Sequence, residues 1–180
     1  MSTKESSAEV CEEGVKYYGF SAVQHGQYMI GLESIGEIID EIRTLHQEHW
    51  DETEVLYLDR PMDPDYEMFV SYEGNRRFVL FTVRDENENL VGDLGYYLGL
   101  STHHAGLLQA KEDFFFITKE HRGGGVAKHF LRFAEDCLTK LGVKLIGMTD
   151  KSPCGGKSLR PFLESEGYKA VALAYIKEVK

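Results

Sequence analysis

The sequence predicts an α+β domain built on a mixed sheet, and three observations carry that prediction. Strand-like segments stand towards both ends of the chain, with helices interspersed rather than in regular strand–helix–strand units. Two stretches place apolar residues at spacings of three and four with charge on the opposite side, the pattern of amphipathic helices. Residues 107–118 are dense in aromatics, the composition of a central strand.

A chain of 180 residues suits one domain, long enough to bury a core without a metal or disulfide staple. Residues 1–13, rich in Ser and Glu, are expected to form a flexible tail, and residues 14–180 the single domain. Twenty Lys and Arg against 30 Asp and Glu give a net charge of −10, which excludes a uniformly basic nucleic-acid surface and generic attraction to anionic membranes. A compact cationic substrate suits that charge. No apolar run approaches the length of a membrane span, and the polar start lacks a signal core. Cys11, Cys137 and Cys154 are odd in number and far apart, so neither a disulfide framework nor a metal knuckle is expected, and the chain reads as cytoplasmic.

Along the chain, strands are expected over 15–20 and 27–32. A helix follows in which Ile35, Ile38, Ile39, Ile42, Leu45 and His46 share a face, with Ser34 placed to cap its start. A short helix over 65–72 ends at Gly74. A hairpin pairs 77–83 with 90–100 across a polar turn at 85–89. The loop 101–106 enters the aromatic strand. A second amphipathic helix aligns Val126, Phe130, Leu131, Ala134, Cys137, Leu138 and Leu141, and Gly142 closes it. A short buried strand over 143–148, a helix over 157–166 and a last strand over 168–179 complete the reading.

The segment Ile117-Thr118-Lys119-Glu120-His121-Arg122-Gly123-Gly124-Gly125-Val126-Ala127 carries the chemistry. A strand ends, three glycines allow tight turns, and a helix begins at once. Unsatisfied amides and the positive end of the helix dipole then converge on one point, an arrangement suited to phosphate. Lys119, Arg122 and Lys128 against Glu120 leave a local +2. A dinucleotide GxGxxG starting at Gly123 fails, because Lys128 stands where glycine is required; a nucleotide P-loop ending at Gly156-Lys157-Ser158 fails at Lys151.

The run Arg122-Gly123-Gly124-Gly125-Val126-Ala127 resembles the Arg/Gln-x-x-Gly-x-Gly/Ala signature of the GCN5-related N-acetyltransferase (GNAT) superfamily. The preceding strand, the following helix and the closing order of strand, helix, Gly167-Tyr168 and strand are similar to that family's cofactor half. The general layout also resembles small phage-encoded members, for which the location would be a host cytoplasm. The resemblance implies a GNAT-like mixed, mostly antiparallel central sheet with a splayed central strand, flanked by helices, with acetyl-CoA as acyl donor and no metal. The implied cofactor-binding residues are Phe115, Phe116 and Ile117 for the pantetheine, and Arg122, Gly123, Gly124, Gly125, Val126 and Ala127 for the pyrophosphate. The implied partners are acetyl-CoA and an amine acceptor, a small cationic amine or a lysine side chain; no nucleic acid or membrane is expected, and a homodimer is left open.

For proton removal, Asp113 is the first candidate and Glu112 the second, because family bases lie a few residues before the splayed point. Strict strand alternation puts Lys111, Asp113 and Phe115 on one face and Glu112 and Phe114 on the other. Either carboxylate alternatively ends a strand in solvent. His103 and His104, in the loop entering the strand, are further candidates, since histidine titrates near neutrality. His46 and His49 share a helical face without a third metal ligand and read as core-edge residues. The match breaks in the last helix, where Leu163 occupies the position of the family's tyrosine acid and Gly156 that of its asparagine; Tyr175 is a substitute candidate and Cys154 reads as a spectator thiol. That break motivates an alternative, a non-catalytic GNAT-fold protein binding a protein partner with or without acyl-CoA. An acidic decoy for nucleic-acid-binding proteins is a third reading, weakened by the even spread of carboxylates.

Overall fold

The computed structural model describes residues 19–54, 61–150 and 158–172. Six strands form one sheet in sequence order: β1 (Val23–His25), β2 (Tyr28–Leu32), β3 (Phe78–Arg84), β4 (Leu90–Leu100), β5 (Leu108–Ile117) and β6 (Leu145–Gly147). Neighbours pair antiparallel as far as β5, and β6 joins β5 in parallel. A mixed, mostly antiparallel sheet is therefore observed as expected.

The helices divide between the two faces. On one face α1 (Ile39–His49) and α2 (Tyr66–Gly74) enclose Ile35, Ile38, Ile42, Tyr66, Phe69, Phe78, Leu80 and Phe114. On the other face α3 (Val126–Lys140) and α4 (Arg160–Ser165) cover the larger core, to which α3 contributes fully buried Phe130, Leu131, Ala134 and Leu138. These four and Cys137 form the apolar stripe read from the sequence; removing the Phe130 ring would cost about 3–5 kcal/mol. Glu166 ties the two helices, 2.8 Å from both Lys128 Nζ and Arg132 Nε.

Several elements differ from the sequence reading. The expected strand over 15–20 falls mostly outside the described residues, and a hairpin turning at Gly26-Gln27 takes its place at the sheet edge, with His25 opposite Tyr28. The first helix starts at Ile39 and Ser34 does not cap it; the Ser34 hydroxyl instead donates to Glu73 Oε2 at 2.7 Å, while Ile35 N donates to Oε1 at 3.0 Å. Glu73 thus fastens the turn before α1 to the end of α2, a bond partner that local sequence cannot reveal. The strand expected to be buried over 143–148 is the short β6, the last strand of the sheet among the described residues, with Leu145 half exposed. Residues 168–172 are not in a strand, and the rest of the expected last strand lies outside the described residues.

Two local irregularities prepare the site. Gly95 pairs with Phe114 and Tyr96 with Glu112, so Asp113 is an extra residue with no cross-strand partner, a β-bulge. A Cβ at Gly95 would come within 2.5 Å of the Phe114 ring, so only glycine lets that ring lie across β4. On the opposite edge, β5 pairs with β6 only through Gln109–Leu145, Ala110–Ile146 and Lys111–Gly147. Among the described residues, β5 from 112 to 117 has no ladder partner on that side.

Candidate active site

The glycine loop has the geometry that its sequence predicts. Gly123, Gly124 and Gly125 have φ of 136°, 55° and 80°, in the region costly to any residue with a Cβ. Gly125 caps α3 without a side-chain bond, and no acidic residue occupies the first turn. Within the loop Val126 N reaches Gly123 O at 3.1 Å, and His129 N reaches Gly125 O at 3.1 Å. Among the described residues the amides of Gly124, Gly125, Ala127 and Lys128 make no intramolecular hydrogen bond. An α-helix start often satisfies such donors with a side-chain cap; here they have none, and a set of donors of this kind can hold an anionic acceptor. A Cβ built at Gly123 or Gly124 meets no protein atom within 4 Å, so the space over these amides is open.

The local cationic excess is largely paired. Arg122 donates from Nε to Ile117 O at 2.7 Å and forms a bidentate pair with Glu52 at 2.6 and 2.7 Å, with its guanidinium over the Phe116 ring at 5.1 Å. Arg122 therefore braces the end of β5 against the π-helical turn Trp50–Glu54 that continues α1. Lys128 is held by Glu166. The cradle is consequently a backbone device, bordered by groups the sequence reading did not single out. The β1–β2 hairpin leans on it: His25 Nε2 lies 3.2 Å from Gly124 O, the His25 and His129 rings stack at 3.6 Å, and Tyr28 Oη lies 3.4 Å from His121 Nδ1. His25 stands about a hundred residues from the loop, and no sequence spacing joins them.

The bulge overturns the expected alternation along β5. Phe114 packs with α1 and α2, whereas Phe115 packs with the α3 core and stacks on Phe162 at 6.3 Å. Asp113 consequently stands on the Phe114 side, within electrostatic reach of His46 on α1. Asp113 is exposed by solvent contact, yet the protein crowded round it raises its carboxyl above the ordinary range. Glu112 points to the other face, is 7% exposed, and accepts from Thr149 N at 2.9 Å; burial pushes its carboxyl up to about 7.

His46 and His49 are both buried on α1, but His46 is more than a core-edge residue. Its Nε2 lies 3.1 Å from Oδ2 of Asp93, a carboxylate with no solvent exposure, its Nδ1 lies 3.1 Å from Tyr66 Oη, and its ring meets Phe114 edge-on at 4.5 Å. His49 stacks on Phe116 at 4.8 Å. The α1 face of β5 is thus lined by imidazoles directly behind the bulge. His103 and His104 lie exposed in the loop at the start of β5, about 17 Å of strand rise before Asp113. Leu163 packs in the α3 core and offers no proton. Cys154, Gly156 and Tyr175 lie outside the described residues. Among the described residues no group of His, Cys, Asp and Glu is placed to hold a metal ion, and no helix is long and apolar enough to cross a membrane.

The sequence model of the Acetyltransferase (GNAT) family matches residues 42–168. The chain belongs to the GNAT acetyltransferase family. No curated protein sequence matches it. Among solved structures it is similar to a putative acetyl transferase from Pyrococcus furiosus, with 23% identity, a TM-score of 0.61, and 84% of this chain and 99% of that chain covered. It is also similar to the ribosomal-protein-alanine N-acetyltransferase from Brucella melitensis biovar Abortus 2308, with 20% identity, a TM-score of 0.63 and coverage of 84% and 99%. A predicted acetyltransferase with acetyl-CoA from Clostridium acetobutylicum shares 12% identity at a TM-score of 0.64, with 84% and 96% covered. At such identities the structural likenesses establish the fold; the family match makes the chain an N-acetyltransferase.

Proposed function

We propose that this acetyltransferase moves an acetyl group from acetyl-CoA directly to a primary amine, and that the open edge of β5 running into the uncapped glycine loop is where the donor lies. That continuity is the observation that carries the reading. From Ile117 back to Asp113 the free edge spans about 13 Å of strand, offering main-chain N–H and C=O groups to a ligand containing amides. Gly124, Gly125, Ala127 and Lys128 present their amides to the diphosphate, with Gly123 shaping the turn and Val126 starting the helix. Phe115, Phe116 and Ile117 supply the strand edge. Arg122 holds the loop through Ile117 and Glu52. Acetyl-CoA supplies an activated acyl carbon.

The residues of the chain then divide the remaining work. Asp113, unpaired in the ladder and open to solvent on the α1 and α2 face, takes a proton from the acceptor ammonium so that a neutral nitrogen attacks. The carbon–nitrogen bond forms, the carbon–sulfur bond breaks as the tetrahedral adduct collapses, and with Leu163 in the tyrosine position the second proton shed by the nitrogen reaches the departing thiolate through solvent. A depression of about 410 Å³ on this face is lined by Met68, Tyr72, Arg77, Tyr97 and Leu98. It lies away from the glycine loop, but the Tyr97 hydroxyl is raised first by burial and then by the charge of Asp113, which joins the two places electrostatically. An amine on an apolar stem, such as a lysine side chain, suits that lining better than a polycation, which Arg77 would repel. Cys137 is a free, buried thiol, which suits a reducing compartment, and we place the enzyme in the cytoplasm.

Calorimetry with CoA followed by a free-thiol assay over an amine panel tests the reading. Binding of CoA with thiol release on at least one lysine-like or small amine is expected. No binding, with the protein folded, would overturn it.

A further inference from the structure

Glu112 presents a puzzle in energetic terms. A carboxylate in a strand next to a core, 7% exposed and driven up to about 7 by burial, costs folding free energy unless it makes a bond that nothing else makes. Its Oε2 accepts from the main-chain amide of Thr149. If the parallel ladder from Gln109–Leu145 to Lys111–Gly147 continued in register, Met148 would fall opposite Glu112 and Thr149 opposite Asp113. Neither pairs with the β5 backbone. Both are held by side chains instead: Tyr96 Oη donates to Met148 Sδ at 3.0 Å, and Thr149 N donates to Glu112. The bulge at Asp113 disturbs the opposite edge of β5 at the same level. Two independent devices therefore act at residues 112 and 113, where the gap between β5 and β6 begins.

We propose that Glu112 is a positioning residue, a wedge whose carboxylate captures the Thr149 amide and so keeps β6 from zipping onto the β5 edge that receives the donor. The inference rests on the acetyl-CoA reading of that edge. It assigns the two neighbouring carboxylates to different tasks on different faces: Glu112 holds the slot open, and Asp113 handles the proton. It also explains why a long acidic side chain occupies the apex. The carboxylate reaches across to the main chain of β6, and its bond to an amide replaces the ladder bond that Thr149 forgoes.

The test compares Glu112→Ala, Glu112→Gln and Thr149→Pro with the wild type by CoA calorimetry, steady-state kinetics and thermal melting. Glu112→Ala leaves the amide unclaimed, and Thr149→Pro removes it; each is expected to weaken CoA binding about tenfold while kcat at saturating acetyl-CoA falls far less. Glu112→Gln keeps a carbonyl oxygen for the amide and is expected to hold CoA affinity within about threefold, with most of kcat retained. A kcat loss of about a hundredfold or more in Glu112→Gln, with CoA affinity intact, would make Glu112 the base and overturn the wedge. CoA affinity unchanged in Glu112→Ala or in Thr149→Pro would overturn it as well. Should Glu112→Ala lose its thermal transition, Thr149→Pro and Glu112→Gln decide the question by the same criteria. A wild type that binds no CoA defeats the reading of the edge, and the wedge with it; a wild type that binds beside indifferent variants defeats the wedge alone.

Discussion

The C-terminal end and the middle of β5 solve their problems with different materials. At its C-terminal end the glycine loop is made of main chain: three positive-φ residues, free amides, and charged neighbours that are already paired to Glu52 and Glu166. At its middle the bulge is made of side chains: Asp113 on one face, Glu112 on the other, and behind them the buried Asp93–His46–Tyr66 chain. The loop tolerates any neighbouring sequence that leaves its backbone conformation free. The bulge depends on atoms contributed by β4, α1, α2 and the exit of β6. One region binds through groups every residue has; the other requires particular residues brought from far apart.

That contrast can be broken most forcefully at Asp113. Asp113→Asn should lower kcat by about 10²–10⁴-fold with little change in CoA affinity, since general bases contribute on that scale. The wild-type rate should fall as pH drops through the Asp113 pKa, and because crowding raises that pKa the acid limb should lie above the ordinary carboxylate range. A pH–rate profile that Asp113→Asn leaves unchanged would remove Asp113 from the chemistry.

Next in size is the buried pair behind it. Asp93→Ala leaves His46 beneath the sheet without its carboxylate, and breaking a buried pair from one side costs about 3–5 kcal/mol. Chemical denaturation should show that loss, and a change below about 1 kcal/mol would contradict a stabilising role for the contact.

At the loop the effect should fall on binding instead. Gly124→Glu forces a Cβ into φ 55° and a carboxylate into the space over the amides, and CoA affinity should fall about tenfold to a hundredfold. Equal affinity in a folded variant would contradict the cradle.

The smallest effect concerns Glu73, whose carboxyl burial raises to about 7. In this case the folded state holds its proton more tightly than the unfolded chain. The stability from Glu73 is thus fully present below the unfolded pKa of about 4.3 and is lost as pH rises through about 7. Glu112 contributes with the same sign. Melting temperature should decline from about pH 5 to about pH 8, and Glu73→Gln should flatten part of that slope; a slope unaltered by the substitution would show that Glu73 does not carry it.

The same contrast governs what could be read in advance. Gly123 to Gly125 at a strand-to-helix junction announce an amide cradle in any context, and the apolar stripe of α3 announces the face it buries. The open edge of β5 followed only from family resemblance, since nothing local in Phe115-Phe116-Ile117 says that β6 departs at Gly147. The bulge was illegible because Asp113 has no glycine or proline beside it, and strict alternation then misplaced Phe114 and Phe115. His46 read as a core-edge histidine because its partner, Asp93, is set by the packing of α1 over β4. The pairing of Arg122 with Glu52 was equally hidden, so the loop looked more cationic in sequence than it is in space. Side-chain partners far apart along the chain leave no local trace; backbone conformations that demand glycine do.

The most direct measurement is a CoA titration of the ¹⁵N-labelled protein followed amide by amide. The largest shifts are expected on Gly123, Gly124, Gly125, Ala127 and Lys128, continuing onto Phe115, Phe116 and Ile117. Shifts gathered elsewhere on the surface, with those amides unmoved at saturation, would contradict a donor bound along β5 and the glycine loop.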